Sequence, residues 1–324
     1  MADIRWFGRN DYEHLIVPDL CRLGLDVAVD GDDPAALAIA MNHDLAPAVW
    51  RYCQRHRVPF VSYVWDLPPS RLGDGQHDPV LPIGGHLLAL PRLSGPRYTT
   101  RRGYYSRLRF VASQARAVWT PSASSAIDVS RHFGRVPTVV QYCYNSALFT
   151  ANCRRMFRPA ANDLQLLSVS RLVPPKNHEA VIRAAARLGA RVELIGRGPS
   201  QASLEALAQR LGVPLRVRTG LPGPVVVAAY QQASVVVCPS RYEGLGLTGI
   251  EAAICGTPVV ASDIAPHREF LGDAPQYFAL DDDDSLVAAI EAARTSSPSP
   301  TAHFATLTIG AAARRFYDEM SALL

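Results

Sequence analysis

The chain reads as an α/β protein made of two doubly wound domains in tandem, and three observations predict this. Short β-branched runs alternate with helix-periodic stretches along most of the length, the pattern of parallel sheets covered by helices on both faces. At 324 residues, 48% of them hydrophobic and 19% charged, the sequence is long for one α/β core and comfortable for two. No fixed-period repeat competes with the alternation, and the composition excludes collagen, a coiled coil and a small disulfide scaffold.

In the first half the predicted strands are Ile4–Phe7, Val27–Asp30, Leu37–Met41, Phe60–Val64, Ala117–Thr120 and Thr138–Val140. Helices are expected at Asp44–His56 and Ser122–Phe133. Leu67–Pro96 is rich in Pro and Gly and lacks periodicity, and its length suits a functional loop better than a connector. Asn152–Ala161, polar and containing a Pro, reads as a linker. The second series runs strand Leu164–Val169, helix His178–Leu188, strand Arg191–Ile195, helix Ser200–Leu211 and strand Leu215–Thr219. It continues with helix Pro224–Gln232, strand Ser234–Cys238, helix Leu247–Cys255 and strand Pro258–Ala261. Four acids, Asp281–Asp284, open a helix through Arg294, where they suit its positive end and read as caps rather than metal ligands. Thr295–Thr301 is a Ser/Pro linker, and an amphipathic helix closes the chain from about Leu307 to Leu324. The expected domains are therefore 1–155 and 156–300, with the final helix, about 307–324, packing back on the first.

No apolar run approaches the roughly 18–20 residues of a membrane-spanning helix. The opening Met1–Asn10 has no apolar core of a signal peptide, which predicts a cytoplasmic protein. The six cysteines contain no Cys-x-x-Cys, and several sit in apolar runs, as Cys238 does. They read as buried small hydrophobes in a reducing compartment, with no zinc site. The net charge of +4 is unevenly spread: between Pro79 and Ile127 there are seven arginines and no acid. Within it, Arg97–Arg109 is interleaved with Tyr98, Tyr104 and Tyr105 and followed by Phe110. Three interpretations stand beside each other: a solvated helix face, a contact with anionic lipid at the inner membrane face, or a site for an acidic or phosphorylated acceptor. No nucleic-acid-binding motif accompanies the charge.

Of the 33 lysines and arginines, Lys176 is the only lysine. It lies in Ser168–Asn177, which runs from a strand end through a loop to a helix start and also contains Arg171. Two cations at that position suit a diphosphate and the charge that grows on it as a bond breaks. After the strand ending at Ile195 come Gly196 and Gly198, but the third glycine of a Gly-x-Gly-x-x-Gly is Gln201. Where an acid would hold a dinucleotide ribose stands Arg218, so the nicotinamide and flavin readings fail and a tight turn lining a crevice suffices. The most specific segment is Pro239–Glu251, which follows the strand Ser234–Cys238: a loop with Glu243, Gly244, Leu245 and Gly246, then a helix from near Leu247 that carries Thr248 and Glu251. The two glycines permit close backbone approach. Glu251 lies about one turn into the helix, so the two carboxylates suit separate hydroxyls of one polyhydroxylated ligand rather than acid/base catalysis as a facing pair. Doubly wound sheets bind ligands beyond the carboxyl ends of their strands, so two such domains face to face would place the site between them.

On these residues the second half resembles the nucleotide-sugar-binding domain of retaining glycosyltransferases of family 4, which have the GT-B fold. The similarity is strongest from about Ser168 to Ala279 and weaker through Val118–Ser122 and Tyr144–Phe149. The resemblance implies two Rossmann-like domains facing a central cleft. Arg171 and Lys176 match the family's Arg-x4-Lys motif for the donor diphosphate; Glu243 and Glu251 match its Glu-x7-Glu motif. Glu243 would lie by the transferred sugar and Glu251 by the ribose hydroxyls, with backbone around Gly244–Gly246 on sugar and phosphate. Gly8, Gly196, Gly198, Arg218, Leu245, Leu247 and Thr248 complete the donor side implied by the resemblance. Two departures stand out. Where many relatives carry His-Asp, this chain has Trp65-Asp66, and an indole does not replace an imidazole acceptor. The opening Phe7–Asn10 has one glycine where relatives often have two. His43, after the strand ending at Met41, joins Trp65 and Asp66 as a residue of the acceptor side.

The reaction these features imply is transfer of a sugar from a UDP- or GDP-linked donor to an acceptor hydroxyl on a small molecule, glycan or lipid-linked acceptor, with retention. No carboxylate announces itself as the nucleophile of a double displacement, which favours a front-face route in which the departing diphosphate takes the acceptor proton. The nucleotide sugar is a substrate, no cofactor is implied, and no metal is expected because Arg171 and Lys176 supply the positive charge. Two alternatives are an epimerase or hydrolase acting on the donor alone, and a non-catalytic nucleotide-sugar-binding protein.

Overall fold

The computed structural model describes residues 1–8, 12–67, 101–150, 153, 163–295 and 302–324, with the backbone alone for 101–107 and 302. The expected loop Leu67–Pro96 (beyond Leu67), the linker Asn152–Ala161 (except Cys153), Thr295–Thr301 (beyond Thr295) and residues 9–10 lie outside the described residues. So do Arg97 and Tyr98, while the side chains of Arg101, Arg102, Tyr104, Tyr105 and Arg107 are likewise not described. The chain divides into two compact units, Met1–Tyr142 with Gly310–Leu324, and Cys143–Ile309.

The first unit is built on β1 (Ala2–Phe7), β2 (Val27–Val29), β3 (Ala35–Ala40), β4 (Phe60–Tyr63), β5 (Ala117–Thr120) and β6 (Thr138–Val139). They pair in parallel in the order β2-β1-β3-β4-β5-β6, so the direction of winding reverses between β1 and β3. Residues on both faces of β4 are buried, as covering layers on both sides require. Helices α1 (Val17–Arg22), α2 (Ala46–His56), α3 (Arg101–Gln114) and α4 (Ala123–Phe133) belong to this unit. Ser122 caps α4 by accepting the Ser125 N–H at 3.0 Å, and Gly134 ends it in the left-handed conformation.

The terminal helix α11 (Ile309–Ser321) supplies the first unit with Phe316, which is fully buried. Its ring meets those of Trp6, Tyr63, Trp119 and Tyr142 at centroid distances of 5.8, 5.5, 5.5 and 5.7 Å. Arg315 of the same helix donates to the Gln141 carbonyl from Nε and Nη2. One α11 face therefore completes a core whose other members are separated from it by most of the chain.

The second unit holds β7 (Gln165–Val169), β8 (Arg191–Ile195), β9 (Leu215–Arg218), β10 (Val235–Cys238), β11 (Val259–Ser262) and β12 (Gln276–Phe278). Their order, β12-β11-β10-β7-β8-β9, is again parallel and reverses between β7 and β10. Around them lie α5 (His178–Leu188), α6 (Gln201–Leu211), α7 (Gly223–Gln232), α8 (Leu247–Ile254), α9 (Ala265–Leu271) and α10 (Asp283–Thr295). The boundary drawn near residue 155 comes later than the structural division because Tyr144 and Phe149 pack with second-unit residues: Tyr144 N–H donates to the Leu307 carbonyl, and Phe149 meets Tyr230 edge-on at 5.8 Å.

Four elements depart from the expectations. Helices α1 and α9 and strand β12 span six, seven and three residues, too short for a hydrophobic period to register. The arginine-rich segment forms the fourteen-residue helix α3, on which Arg109 and Phe110 are exposed. Of the four aspartates at 281–284, only Asp282 caps, accepting the Ser285 N–H at 2.9 Å. The other three are ion-pair partners: Asp281 of Arg241, Asp283 of Arg183 through two bonds of 2.6 and 3.0 Å, and Asp284 of Arg187 at 2.5 Å. Cys53, Cys143, Cys238 and Cys255 are buried free thiols, while Cys21 is exposed and Cys153 half-buried. Burial pushes the Cys53 and Cys255 thiols up to about 12, which leaves them unreactive. Among the described residues no group of His, Cys, Asp and Glu has metal-site geometry, and no helix is long and apolar enough to cross a membrane.

Candidate functional site

In an open parallel sheet, ligand crevices form at the carboxyl ends of the strands where the winding reverses, because the two flanking loops leave in opposite directions. In the second unit that point lies between β7 and β10. The loop after β7 carries Arg171 and Lys176, and the loop after β10 carries Glu243. Sequence and topology thus select the same place independently.

The backbone draws the two loops together. After β7 the chain makes a 3-10 turn, Pro174–Lys176, and Asn177 follows at φ 52°, left-handed space that Asn tolerates. The Pro175 carbonyl accepts the Arg241 N–H at 2.8 Å. Lys176 Nζ then donates to Glu243 Oε1 at 2.5 Å, with both side chains largely enclosed. Ser240 donates to the same oxygen at 2.6 Å. Burial pushes the Glu243 carboxyl up, but the Lys176 ammonium, with the hydrogen bonds from Lys176 and Ser240, outweighs it and holds the group below the ordinary glutamate range. Glu243 is therefore an ionised carboxylate paired with the only lysine of the chain.

Arg171 is exposed on the same loop, and among the described residues no carboxylate pairs with it. Its backbone position is set by glycine. A Cβ on Gly196, whose φ is 155°, would lie 1.9 Å from the Ser170 carbonyl oxygen, and one on Gly198 would lie 2.2 Å from that of Leu172. These two glycines let the loops after β7 and β8 stack backbone on backbone, with Leu172 N–H donating to the Arg197 carbonyl. They shape the Arg171 loop. Arg218, expected on the donor side, spends its guanidinium on the buried Glu193 at 3.0 Å.

After Glu243, the turn Gly244–Gly246 enters α8, with Gly246 left-handed at φ 73°. Leu245 is buried, Leu247 opens the helix, and Thr248 donates to the Val169 carbonyl at 2.9 Å, tying α8 to the end of β7. Glu251, one turn on, accepts from the buried Tyr230 hydroxyl at 2.9 Å. Burial pushes its carboxyl up to about 7, against the pull of that hydrogen bond. Glu243 and Glu251 are thus in different electrostatic states: one paired and ionised, the other poised near neutrality.

A cavity of about 10 Å³, room for one water-sized group, opens between these elements. Ser168, Ser240, Glu243, Gly246, Thr248 and His267 are on its wall, whereas Arg171, Lys176 and Glu251 are not. The structure joins Lys176 to Glu243, leaves Arg171 at the rim of the same strand end, and holds Glu251 apart on Tyr230. Ser240, Tyr230 and His267 are additions that sequence reasoning missed. Ser240, three residues before Glu243, was within the motif and legible in principle; Tyr230 and His267 arrive from other elements and carry no spacing signal.

The predicted acceptor-side residues His43, Trp65 and Asp66 lie in the first unit, after β3 and β4, and Gly8, expected on the donor side, follows β1. Gly8 sits against the His14 ring, where a Cβ would lie 2.4 Å from Nε2 and would displace that side chain. His43 is buried beside Asp44 at 3.7 Å, and neither ring nitrogen has a hydrogen-bond partner among the described residues. Trp65 donates to the Met41 carbonyl at 2.6 Å and packs edge-on against Tyr63 and Tyr142, which makes it a wall. Asp66 follows it, half-buried.

Comparison with known proteins gives a consistent result. Residues 152–302 match the family model Glycosyl transferases group 1. D-inositol 3-phosphate glycosyltransferases of Mycobacteroides abscessus and Kribbella flavida are 39% and 38% identical over 124 and 131 residues. Each match covers 35% of this chain, and 28% and 31% of the relatives, so the chain matches less than a third of the length of either. A GDP-mannose-dependent alpha-(1-6)-phosphatidylinositol monomannoside mannosyltransferase of Mycolicibacterium smegmatis is 33% identical over 141 residues, 39% of this chain and 37% of that protein. Among solved structures, Anabaena Alr3699/HepE in complex with UDP and glucose superposes with a TM-score of 0.72 at 15% identity, covering 99% of this chain and 100% of that one. The lipopolysaccharide outer core galactosyltransferase WaaB superposes at 0.65 and 11% identity, covering 99% of each. The fold is GT-B, two Rossmann-like units each on a parallel six-stranded sheet.

Proposed function

We propose, from the membership of residues 152–302 in the glycosyl transferases group 1 family, that this protein moves a sugar from a nucleotide diphosphate donor to an acceptor hydroxyl with retention. The observation that carries the proposal is the Lys176–Glu243 pair at the winding reversal of the second sheet, with Arg171 on the same loop. Two cations at one strand end suit a diphosphate, and they act most strongly as the glycosidic bond breaks and negative charge gathers on the leaving oxygen. When the donor binds, its phosphates compete with Glu243 for Lys176. The freed carboxylate oxygen then accepts from a sugar hydroxyl. The departing diphosphate takes the acceptor proton, and the protein contributes position and field rather than an acid/base pair. Glu251 and Tyr230 hold the ribose hydroxyls. The acceptor side is assigned to His43 and Asp66 in the first unit.

A thermal-shift screen of UDP, GDP, ADP and their sugars tests the donor half of this reading. A ligand that binds only the native state raises the midpoint by about 2.7 kcal/mol of stabilisation at a hundredfold excess over Kd. No shift with any of them contradicts the proposal. Turnover measured with donor alone and with added acceptors separates transfer from hydrolysis or epimerisation.

Glu251 adds a pH signature. Ribose hydroxyls donate to its ionised form, so donor affinity rises as pH climbs through about 7 and falls on acidification. Glu251→Gln raises the donor KM about tenfold at pH 8 and removes this dependence, with kcat little changed. A variant KM that still falls from pH 6 to pH 8 as the wild type's does rules out Glu251 as the source.

A further inference from the structure

His267 belongs to no motif of the sequence, yet its imidazole is fully buried on the wall of the cavity beside Glu243. Its tautomer follows from its neighbours. Nδ1 lies 2.9 Å from the Ser262 carbonyl oxygen, which only accepts. The Ser262 hydroxyl, 3.1 Å from the same nitrogen, has already given its one proton to the Ser240 carbonyl at 2.5 Å. Nδ1 must therefore carry the ring proton, and Nε2 presents a lone pair. Burial also depresses the imidazole's basicity, outweighing the nearby Glu243 carboxylate, so the ring stays neutral.

Among the described residues that lone pair has no hydrogen-bond partner. Gly246 is compatible with the ring only as glycine, because a Cβ there would lie 2.8 Å from Cδ2 and 3.3 Å from Nε2. The turn of the Glu243 loop is thus shaped around this imidazole. An orphan acceptor in a buried site is costly until something donates to it. Phosphate oxygens at neutral pH only accept, so the diphosphate does not serve. A hydroxyl both donates and fits a cavity with room for one water-sized group.

We infer that His267 Nε2 accepts a hydrogen bond from one hydroxyl of the donor's sugar, which makes His267 a specificity-determining residue for the transferred sugar. The inference rests on the donor function proposed above. It divides the labour of the site: a hydroxyl carries one proton, so His267 Nε2 takes that of one sugar hydroxyl while Glu243 accepts from another, and a sugar lacking the first leaves Nε2 unmet.

The test combines binding and ring NMR. Wild type and variants are titrated with UDP-glucose, GDP-mannose, UDP and GDP. His267→Asn keeps a donor near the Nδ1 position and deletes Nε2; His267→Gln restores a polar atom that reaches it. His267→Asn should weaken the bound sugar nucleotide about three- to tenfold while leaving the parent nucleoside diphosphate unchanged, and His267→Gln should recover part of the loss. In wild-type protein with ¹⁵N-labelled histidine, the free state should show the Nδ1–H tautomer, and the Nε2 resonance should move with the sugar nucleotide but not with the diphosphate. Equal weakening of both ligands, or an Nε2 resonance unmoved by the sugar nucleotide, overturns the inference and leaves the donor function standing. If the wild type binds none of the four, the donor function itself fails, and this inference fails with it.

Discussion

Replacing Lys176 by alanine lowers kcat/KM for the donor by about 10²–10³, with most of the loss in kcat. The reason is the timing of charge. In the free protein Lys176 is neutralised by Glu243 at 2.5 Å, so its contribution to ground-state attraction is partly spent. As the donor's glycosidic bond lengthens, the diphosphate gains negative charge, and a preplaced ammonium in a partly enclosed site gains with it. The substitution also removes the main partner that holds Glu243 ionised against its own burial. Steady-state kinetics that show less than a threefold change contradict the role of Lys176. A lost circular-dichroism signal assigns the effect to folding instead, and Lys176→Arg then serves as the second variant: it keeps the charge and should retain more activity than alanine.

Phe316→Ala should cost the first unit about 3–5 kcal/mol, the range for removing a large ring from a filled core. Phe316 is fully buried and is met by four aromatic rings from β1, β4, β5 and the segment ending at Tyr142. Its removal leaves a cavity that these planar, rotamer-limited neighbours cannot close. Equilibrium unfolding in urea, followed by tryptophan fluorescence, reports directly because Trp6 and Trp119 line that core. A loss below about 1 kcal/mol would mean that the terminal helix is a loose appendage.

The two predictions differ in how far the sequence reached. Lys176 and Glu243 were legible because each lies beside its own local signal: a strand end, a glycine-bearing loop and a helix start, with a family resemblance on the same residues. Nothing in 67 residues of separation announced that they touch. The alternation of strands and helices was equally legible, since buried parallel strands write themselves as β-branched runs such as Val235–Cys238. Of the elements that escaped, α1, α9 and β12 are too short to show a period, while the fourteen-residue α3 lies in the arginine-rich segment. Arg218 was placed on the donor side by resemblance alone, and the pairing of its guanidinium with Glu193 on the adjacent strand carries no signal in the sequence. The aspartates at 281–284 likewise cap through one member only, because arginines of α5 and the Glu243 loop meet the other three.

By itself the sequence determined the fold class, the tandem series of strands and helices, and the short list of charged and glycine-bearing loops at strand ends. These follow from periodicities of two and 3.6 residues and from turn chemistry, both of which are local. Only the tertiary structure decided that Lys176 neutralises Glu243, that burial pushes the Glu251 carboxyl up to about 7 against its hydrogen bond from Tyr230, that Phe316 closes the first core and that His267 offers a bare acceptor. Each of those is a contact between distant positions, and its energy depends on burial, which no local pattern of residues encodes.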